Sequence, residues 1–471
     1  MSSPAYAPRL TALIVASATF MGSLDATVIA TALPQMARSF HLSPVDLSVG
    51  ITVYILVMAA FLPLSTWVAD RLGARTVFAT AVAVFALASV LCGLSHNLME
   101  FVAARVLQAL AATLMTPVGN LVLLRATEKK DLVSAIAIST TPALVAPVIG
   151  PAIGGFILTF LAWPWIFFLN IPIAAAGVIL ALRYIPDLRA DERRPFDWIG
   201  FVSTGLALAA VIYGLDRISA AGANRLMSGA LVVAGLGLGG FAVRHSLRAP
   251  HPLIALSALR RRTFATAALT GGTLVRTPFR ALGFVMPLMF QVGLGMSAFH
   301  SGILLLGYNG GDLLLKSVAN QTLRRFGFRR SLIVTALLTA AATASWILFT
   351  PGTPFVVIFV IMLLSGMARS VLMTGLVSLT FADVPREEIG GATVLSNVLN
   401  QTTGALAIAL AAIILNLNAA ARGAATGQVG LADCRVALVV MAVIGLSALP
   451  SFLRLPLDAG AEVSGHHLPP R

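Results

Sequence analysis

Fourteen apolar stretches, most of about twenty residues or more, follow one another along the chain. They lie at 10–32, 46–68, 75–95, 100–123, 133–160, 163–184, 197–216, 226–244, 265–291, 299–321, 331–350, 353–378, 390–416 and 435–453. A helix of about 20 apolar residues crosses the ~30 Å hydrocarbon layer of a bilayer. In hydrocarbon every backbone N–H and C=O must be paired within the structure, and a helix does this by itself. The pattern therefore predicts an all-α integral membrane protein with 14 transmembrane helices. The ninth and tenth stretches are the weakest, because charges interrupt them. The first follows Arg9 and starts like a signal sequence, but it runs past Asp25 to Pro34 without a small-residue cleavage site. It is read as an uncleaved first helix.

Composition closes off the alternatives. Of 471 residues, 58% are hydrophobic and 11% charged, against about 25% charged in soluble domains. Mean hydropathy is +0.92. A water-soluble fold of this size would have no way to bury so much apolar surface. The chain carries 3 Lys and 29 Arg against 18 acidic residues, a net charge of +14. With the N-terminus placed in the cytoplasm, 22 of these cations fall in cytoplasmic segments, 5 on the opposite side and 5 within helices. That asymmetry is the positive-inside pattern. It accounts for the basic character without nucleic acid and puts both termini on the cytoplasmic side. Cys92 and Cys434 have no metal-type spacing, and no His lies deep in an apolar stretch. No metal or cofactor is expected.

Enzymatic readings find no support either. "GGDLLLKS" lacks the Gly that precedes Lys in a phosphate loop, and neither GxSxG nor HExxH occurs. No extramembrane segment is long enough for an ATPase domain, so work done by this protein must draw on an ion gradient.

A weak internal repeat suggests how the helices are grouped. "VADRLGART" at 68–76 follows the second stretch, and "LRRFGFRRS" at 323–331 follows the tenth. Both are basic turns centred on Gly. The expected organisation is an N-terminal six-helix half (1–184), two inserted helices with their linkers (185–250), and a C-terminal six-helix half with a short tail (251–471). Repeated halves are a mark of secondary transporters.

Ionisable side chains in hydrocarbon are costly and so are functional candidates by default. Asp25 is central in the first helix; a buried carboxylate can bind and release a proton, or else serve a structural hydrogen bond. Arg105, near the start of the fourth, keeps its proton and can hold an acid ionised, or simply reach for the interface. In the fifth helix, "APVIGPAIGG" places Gly150, Pro151, Gly154 and Gly155 within one span. Small residues let helices approach closely, and prolines bend them. Arg276, Arg280, Asp312, Lys316 and Arg369 interrupt spans of the second half. They would attract an anionic substrate, or satisfy carbonyls at broken helices. Asp312 and Lys316 stand four apart, the spacing of an intrahelical ion pair.

Four segments resemble motifs of the major facilitator superfamily in its fourteen-helix drug/proton antiporter branch. "LDATVIATALP" at 24–34 resembles the helix-1 motif LDxTxVNVALP, and "TWVADRLGAR" at 66–75 the loop motif GxLADRxGRK. "RVLQALAA" at 105–112 resembles the helix-4 motif RxxQGxGA, and "GPAIGG" at 150–155 the antiporter motif GPxxGG. The likeness covers about 10–455 and is greatest to proteobacterial multidrug exporters of this length. It implies two six-helix halves plus two inserted helices, in a bacterial inner membrane. It also implies proton coupling through Asp25 and Arg105, and antiport marked by Gly150, Pro151, Gly154 and Gly155. A gate motif would comprise Asp70, Arg71, Gly73 and Arg75, and Arg276, Lys316 and Arg369 resemble residues of the branch. Ala30, Thr66, Ala74 and Ala109 depart from the motifs. The expected function is proton-driven export of small amphipathic or cationic drug-like compounds by a monomer, contributing to antibiotic resistance. Its rivals are an exporter of an endogenous metabolite or anionic metal chelate, and a non-transporting membrane sensor.

Overall fold

The computed structural model describes residues 8–127, 132–185, 196–218, 224–250, 252–424, 428–460 and 462, and among them there is no strand. Of the loop cations counted above, Lys129, Lys130, Arg189, Arg193, Arg194 and Arg471 lie outside the described residues, as do linker 186–195 and tail 463–471. The first half contains α1 (Pro8–Phe40), α2 (Ser48–Phe61), α3 (Leu64–Leu72), α4 (Ala74–Gly93), α5 (Leu98–Ala126), α6 (Leu132–Phe160), α7 (Trp165–Phe168) and α8 (Asn170–Tyr184). The inserted pair is α9 (Trp198–Ile218) and α10 (Arg225–Ser246). The second half contains α11 (Arg262–Phe264), α12 (Gly271–Leu288), α13 (Ala298–Ser345), α14 (Phe355–Phe381), α15 (Ile389–Ala421), α16 (Leu431–Leu446) and α17 (Leu449–Leu453).

Eleven helical segments, with α7 and α8 counted together and α16 and α17 counted together, are long and apolar enough to cross a membrane. One of them, Ala298–Leu348, is 51 residues long and holds two spans. Gly327 divides it, with φ 73° and ψ 168°. Two further spans reach the predicted fourteen. One is α2 continued by α3 after a turn at Leu62–Pro63. The other is the ninth, where π-helical turns at Ala265–Leu269 and Met289–Gly293 flank α12. Arg276, Arg280 and the irregular ends explain why the ninth was weak by pattern.

The two turns of the internal repeat share a backbone feature. Gly73 links α3 to α4 at φ 89°, and Gly327 makes the equivalent turn at φ 73°. Positive φ is strained for residues with a Cβ, so glycine is the natural occupant of both turns. Two related bundles result. In the first, α1 packs on α6, α4 on α5 and α8, and α2 on α5; in the second, α13 packs on α14, and α12 on α15 and α16. The bundles meet along α6–α13 and α2–α15. The inserted helices pair with each other, and α9 also touches α2 and α15. Only 17% of the most apolar window of α10 is buried, which leaves that helix at the periphery, facing lipid.

Candidate functional site

Asp25 and Arg105 are brought together inside the first bundle. Arg105 Nη1 donates to Asp25 Oδ2 at 2.7 Å. Gln108, one turn along α5, donates to Asp25 Oδ1 at 3.0 Å and to Ser89 Oγ of α4 at 2.9 Å. Asn170, at the start of α8, reaches Asp25 Oδ1 at 3.4 Å and Ser89 Oγ at 3.3 Å. Arg105 also donates to Gln108 Oε1 and, through Nε, to the Gly50 carbonyl at 3.4 Å. Its guanidinium carbon lies 4.1 Å from the Tyr54 ring centroid, and the Cys92 thiol donates to Gln108 Oε1 at 3.7 Å. None of these seven side chains belongs to a residue more than 4% exposed.

Five helices thus supply one polar cluster. A carboxylate in this setting is tolerable only because a guanidinium and two amides satisfy it. Removing one member of such a buried charge pair typically costs about 3–5 kcal/mol, since the other charge is stranded. Arg105 Nη2 and Asn170 Oδ1 have no partner among the described residues. The cluster therefore holds one donor and one acceptor beyond those its described contacts use. Sequence reasoning singled out the two charges but not Gln108, Ser89, Asn170, Tyr54 or Cys92. Gln108 was available as the fourth position of "RVLQ". A search for neutral polar residues inside spans would have found Ser89 and Asn170.

The glycines of α6 divide by direction. A Cβ on Gly150 would strike Thr27 Oγ1 of α1. One on Gly154 would lie 2.7 Å from Val28 Cγ1 and 2.8 Å from Thr31 Oγ1, also on α1. A Cβ on Gly155 would instead lie 2.5 Å from the Ala298 carbonyl oxygen of α13, and Gly302 of α13 sits likewise against the Pro151 carbonyl. Pro142, Pro147 and Pro151 all lie inside the same helix. One face of α6 therefore packs within its own bundle while the other forms the seam between bundles.

The gate-motif residues surround the turn at Gly73. Arg71 lies with its guanidinium carbon 4.5 Å from the Trp67 ring centroid. Arg75 is half-buried, and its Nε has no hydrogen-bond partner among the described residues. Asp70 is half-buried one residue before Arg71.

In the second half the charges separate into two settings. Arg276 donates to the Ala267 carbonyl at 2.8 Å, inside the π-helical turn. This is the carbonyl-satisfying arrangement, and Arg276 does not line the cleft described next. Arg280 donates to Asn400 Oδ1 of α15 at 3.3 Å. Asp312, Lys316 and Arg369 line a cleft of about 360 Å³ between α6, α13 and α14. Asp312 does not form the i, i+4 pair with Lys316 that its spacing allowed. It pairs across helices with Arg369 at 2.9 Å. The cause is a glycine seam: a Cβ on Gly366 would strike the Tyr308 carbonyl, and one on Gly311 the Leu363 carbonyl. With α13 and α14 in backbone contact, Ser370 Oγ donates to the Asp312 carbonyl at 2.6 Å, and Arg369 comes within reach of the carboxylate.

Fourteen membrane-length spans in two related bundles, with a charged cluster buried in one and a cleft between them, define a membrane transporter. The chain belongs to the Major Facilitator Superfamily, whose family model matches residues 15–412. It is 34% identical over 460 residues to the "Putative multidrug resistance protein MdtD" of Cronobacter sakazakii, covering 94% of each chain. The protein of the same name from Citrobacter koseri is also 34% identical, over 86% of this chain and 85% of that one. Solved structures share the fold at low identity. A bacterial homologue of the human lysosomal transporter Spinster, inward-facing and unoccupied, superposes with TM-score 0.64 at 16% identity over 98% of both chains. A POT family transporter in complex with a thioalcohol-conjugated peptide gives 0.65 at 12% identity, over 95% of this chain and 94% of that one.

Proposed function

We propose that this transporter exports small amphipathic, drug-like compounds from a bacterial cytoplasm in exchange for protons, by alternating access in the inner membrane. The observation that carries the reading is the Asp25 carboxylate, buried in the first bundle and held by Arg105, Gln108 and Asn170. The guanidinium keeps its charge throughout, so Asp25 is the member that gains and loses the proton, and Arg105 and Gln108 rearrange as it does. The bodies that rock are 1–184 and 251–471, with 185–250 riding between them. Gly155 and Pro151 form the seam with α13 that keeps the pathway shut on one side during the exchange, while Gly150 and Gly154 hold α6 against α1. Asp70, Arg71, Gly73 and Arg75 form the gate on the other. Both termini face the cytoplasm, in accord with the loop charge, and the working unit is a monomer. The names of the MdtD relatives support multidrug export.

A second reading, export of organic anions, is favoured by one observation: two cations and one carboxylate line the cleft. The same balance speaks against cationic compounds as the preferred cargo.

The test is a proteoliposome assay with a proton gradient and a panel of dyes and aromatic acids, read by internal pH. Addition of a transported compound should release protons across the membrane. Asp25→Asn should insert normally and lose that flux by at least tenfold. Wild-type flux from the variant at every external pH would remove Asp25 from the coupling role.

A further inference from the structure

We propose that the cleft between α6, α13 and α14 binds the carboxylate of an amphipathic organic anion, with Lys316 as its principal contact and Arg369 beside it. The inference rests on the export reading above and supplies the chemistry of its substrate. The cleft is partly open to its surroundings rather than enclosed. Its two sides differ in kind. Leu144, Pro147 and Val148 of α6 offer an aliphatic wall, and Asp312, Lys316 and Arg369 face it. Such a pair of walls suits a molecule with an apolar body and one charged end.

The sign of that end follows from how the three charges are used. Arg369 is committed to Asp312 at 2.9 Å and lies 4.9 Å from the Tyr308 ring centroid and 5.8 Å from that of Phe279. Both members of the pair keep about a fifth of their side chains exposed, 21% for Arg369 and 22% for Asp312, so they reach the cleft without being free in it. Lys316 is exposed and forms no ion pair with any described carboxylate. A cationic ligand would meet Lys316 unshielded and find Asp312 already taken. A neutral ligand could accept a hydrogen bond from Lys316 but would leave its charge unbalanced. An anion completes the set: Lys316 supplies a charge-assisted hydrogen bond and Arg369 a second positive charge whose orientation Asp312 fixes. An ammonium on a four-carbon stem follows anions of different shape, and the aliphatic wall places few demands on the body. The site therefore selects charge more strictly than structure.

Three probes sharing one ring system isolate the charged end: 2-naphthoate, 2-naphthamide and 2-naphthylmethylammonium. Binding is measured by titration calorimetry on the full chain in detergent at pH 7. The carboxylate should bind at least tenfold tighter than the amide or the ammonium. Lys316→Met should abolish that preference, and Lys316→Arg should retain it. Because Lys316 is exposed, the thermal unfolding midpoint of both variants should stay at the parent value, which separates lost binding from lost folding. Equal or tighter binding of the amide or the ammonium overturns the proposal, as does an undiminished preference in Lys316→Met. The same protein in proteoliposomes reports proton flux separately. Carboxylate preference without proton-linked efflux would leave the anion site standing and overturn the antiport reading. Proton-linked efflux of other compounds without carboxylate preference would do the reverse.

Discussion

Arg105 holds its proton at any pH a cell experiences, so in the proposed exchange the proton is carried by Asp25. Sequence made both visible, because charges inside apolar spans stand out against 11% charged composition. It left their meeting open, since 80 residues separate them and only the packing of α1 on α5 makes the 2.7 Å contact. The neutral members were hidden for the opposite reason: Ser and Asn in a span carry no charge to mark them. The pairing of Asp312 shows the limit of spacing rules. An i, i+4 acid–base pair is worth a few tenths of a kcal/mol on an isolated helix, too little to prevail once a neighbouring helix brings an Arg within hydrogen-bond distance. Double-mutant cycles scored by thermal unfolding in detergent should separate the two pairs. Asp312→Asn with Arg369→Met should show strong non-additivity. Asp312→Asn with Lys316→Met should be additive within about 0.5 kcal/mol, the ordinary scatter for uncoupled sites. Coupling to Lys316 as large as that to Arg369 would contradict the cross-helix assignment.

At the scale of elements, α6 is the piece whose design was most legible and least predictable in detail. Small residues and prolines in one span announced close packing, but nothing in "GPAIGG" says which glycine faces which neighbour. The structure sorts them by what a methyl group would hit. At Gly154 it meets side-chain atoms of Val28 and Thr31 on α1, and a side chain yields more readily than a backbone does. At Gly155 it meets the Ala298 backbone. Gly154→Ala should therefore cost modest stability within the first bundle and leave exchange running. Gly155→Ala should push α6 from α13 and open the seam between bundles. Labelling of a cysteine introduced at Ser301, which is fully buried beside Gly302 of the seam, reads that opening. Faster labelling in the Gly155→Ala background than in Gly154→Ala is the expected result. Equal rates would show that both glycines serve the same contact.

For the molecule as a whole, the count of spans, their grouping and the repeat were all available from apolar periodicity, loop charge and two Gly-centred turns. What the pattern left open was how the inserted pair is attached, because that rests on a few side chains close to the linkers. Trp67 of α3 packs against Phe196 and Trp198 with ring centroids 5.1 and 5.7 Å apart, and Phe61 of α2 against Phe201 at 5.2 Å. The joint beside them is Asp197. Its carboxylate accepts from the Gly200 N–H at 2.8 Å at the start of α9, from the Leu253 N–H at 3.1 Å, and lies 2.8 Å from His245 Nε2 on α10. One side chain thus joins both inserted helices to the segment that leads into the second half. Burial by itself would raise the Asp197 pKa, but the Gly200, His245 and Leu253 hydrogen bonds outweigh it and hold the group below its ordinary value. The sign of the pH dependence follows. A carboxyl group whose native pKa is depressed adds stability above its unfolded pKa, and that contribution disappears as pH falls through the depressed native value. Asp197→Asn should accordingly lower the thermal unfolding midpoint at pH 7. The gap between variant and parent should narrow through the carboxylate range and close in stronger acid. A gap that stays constant from pH 7 down to pH 3 would mean that the Asp197 charge does not hold the inserted pair to the rest of the transporter.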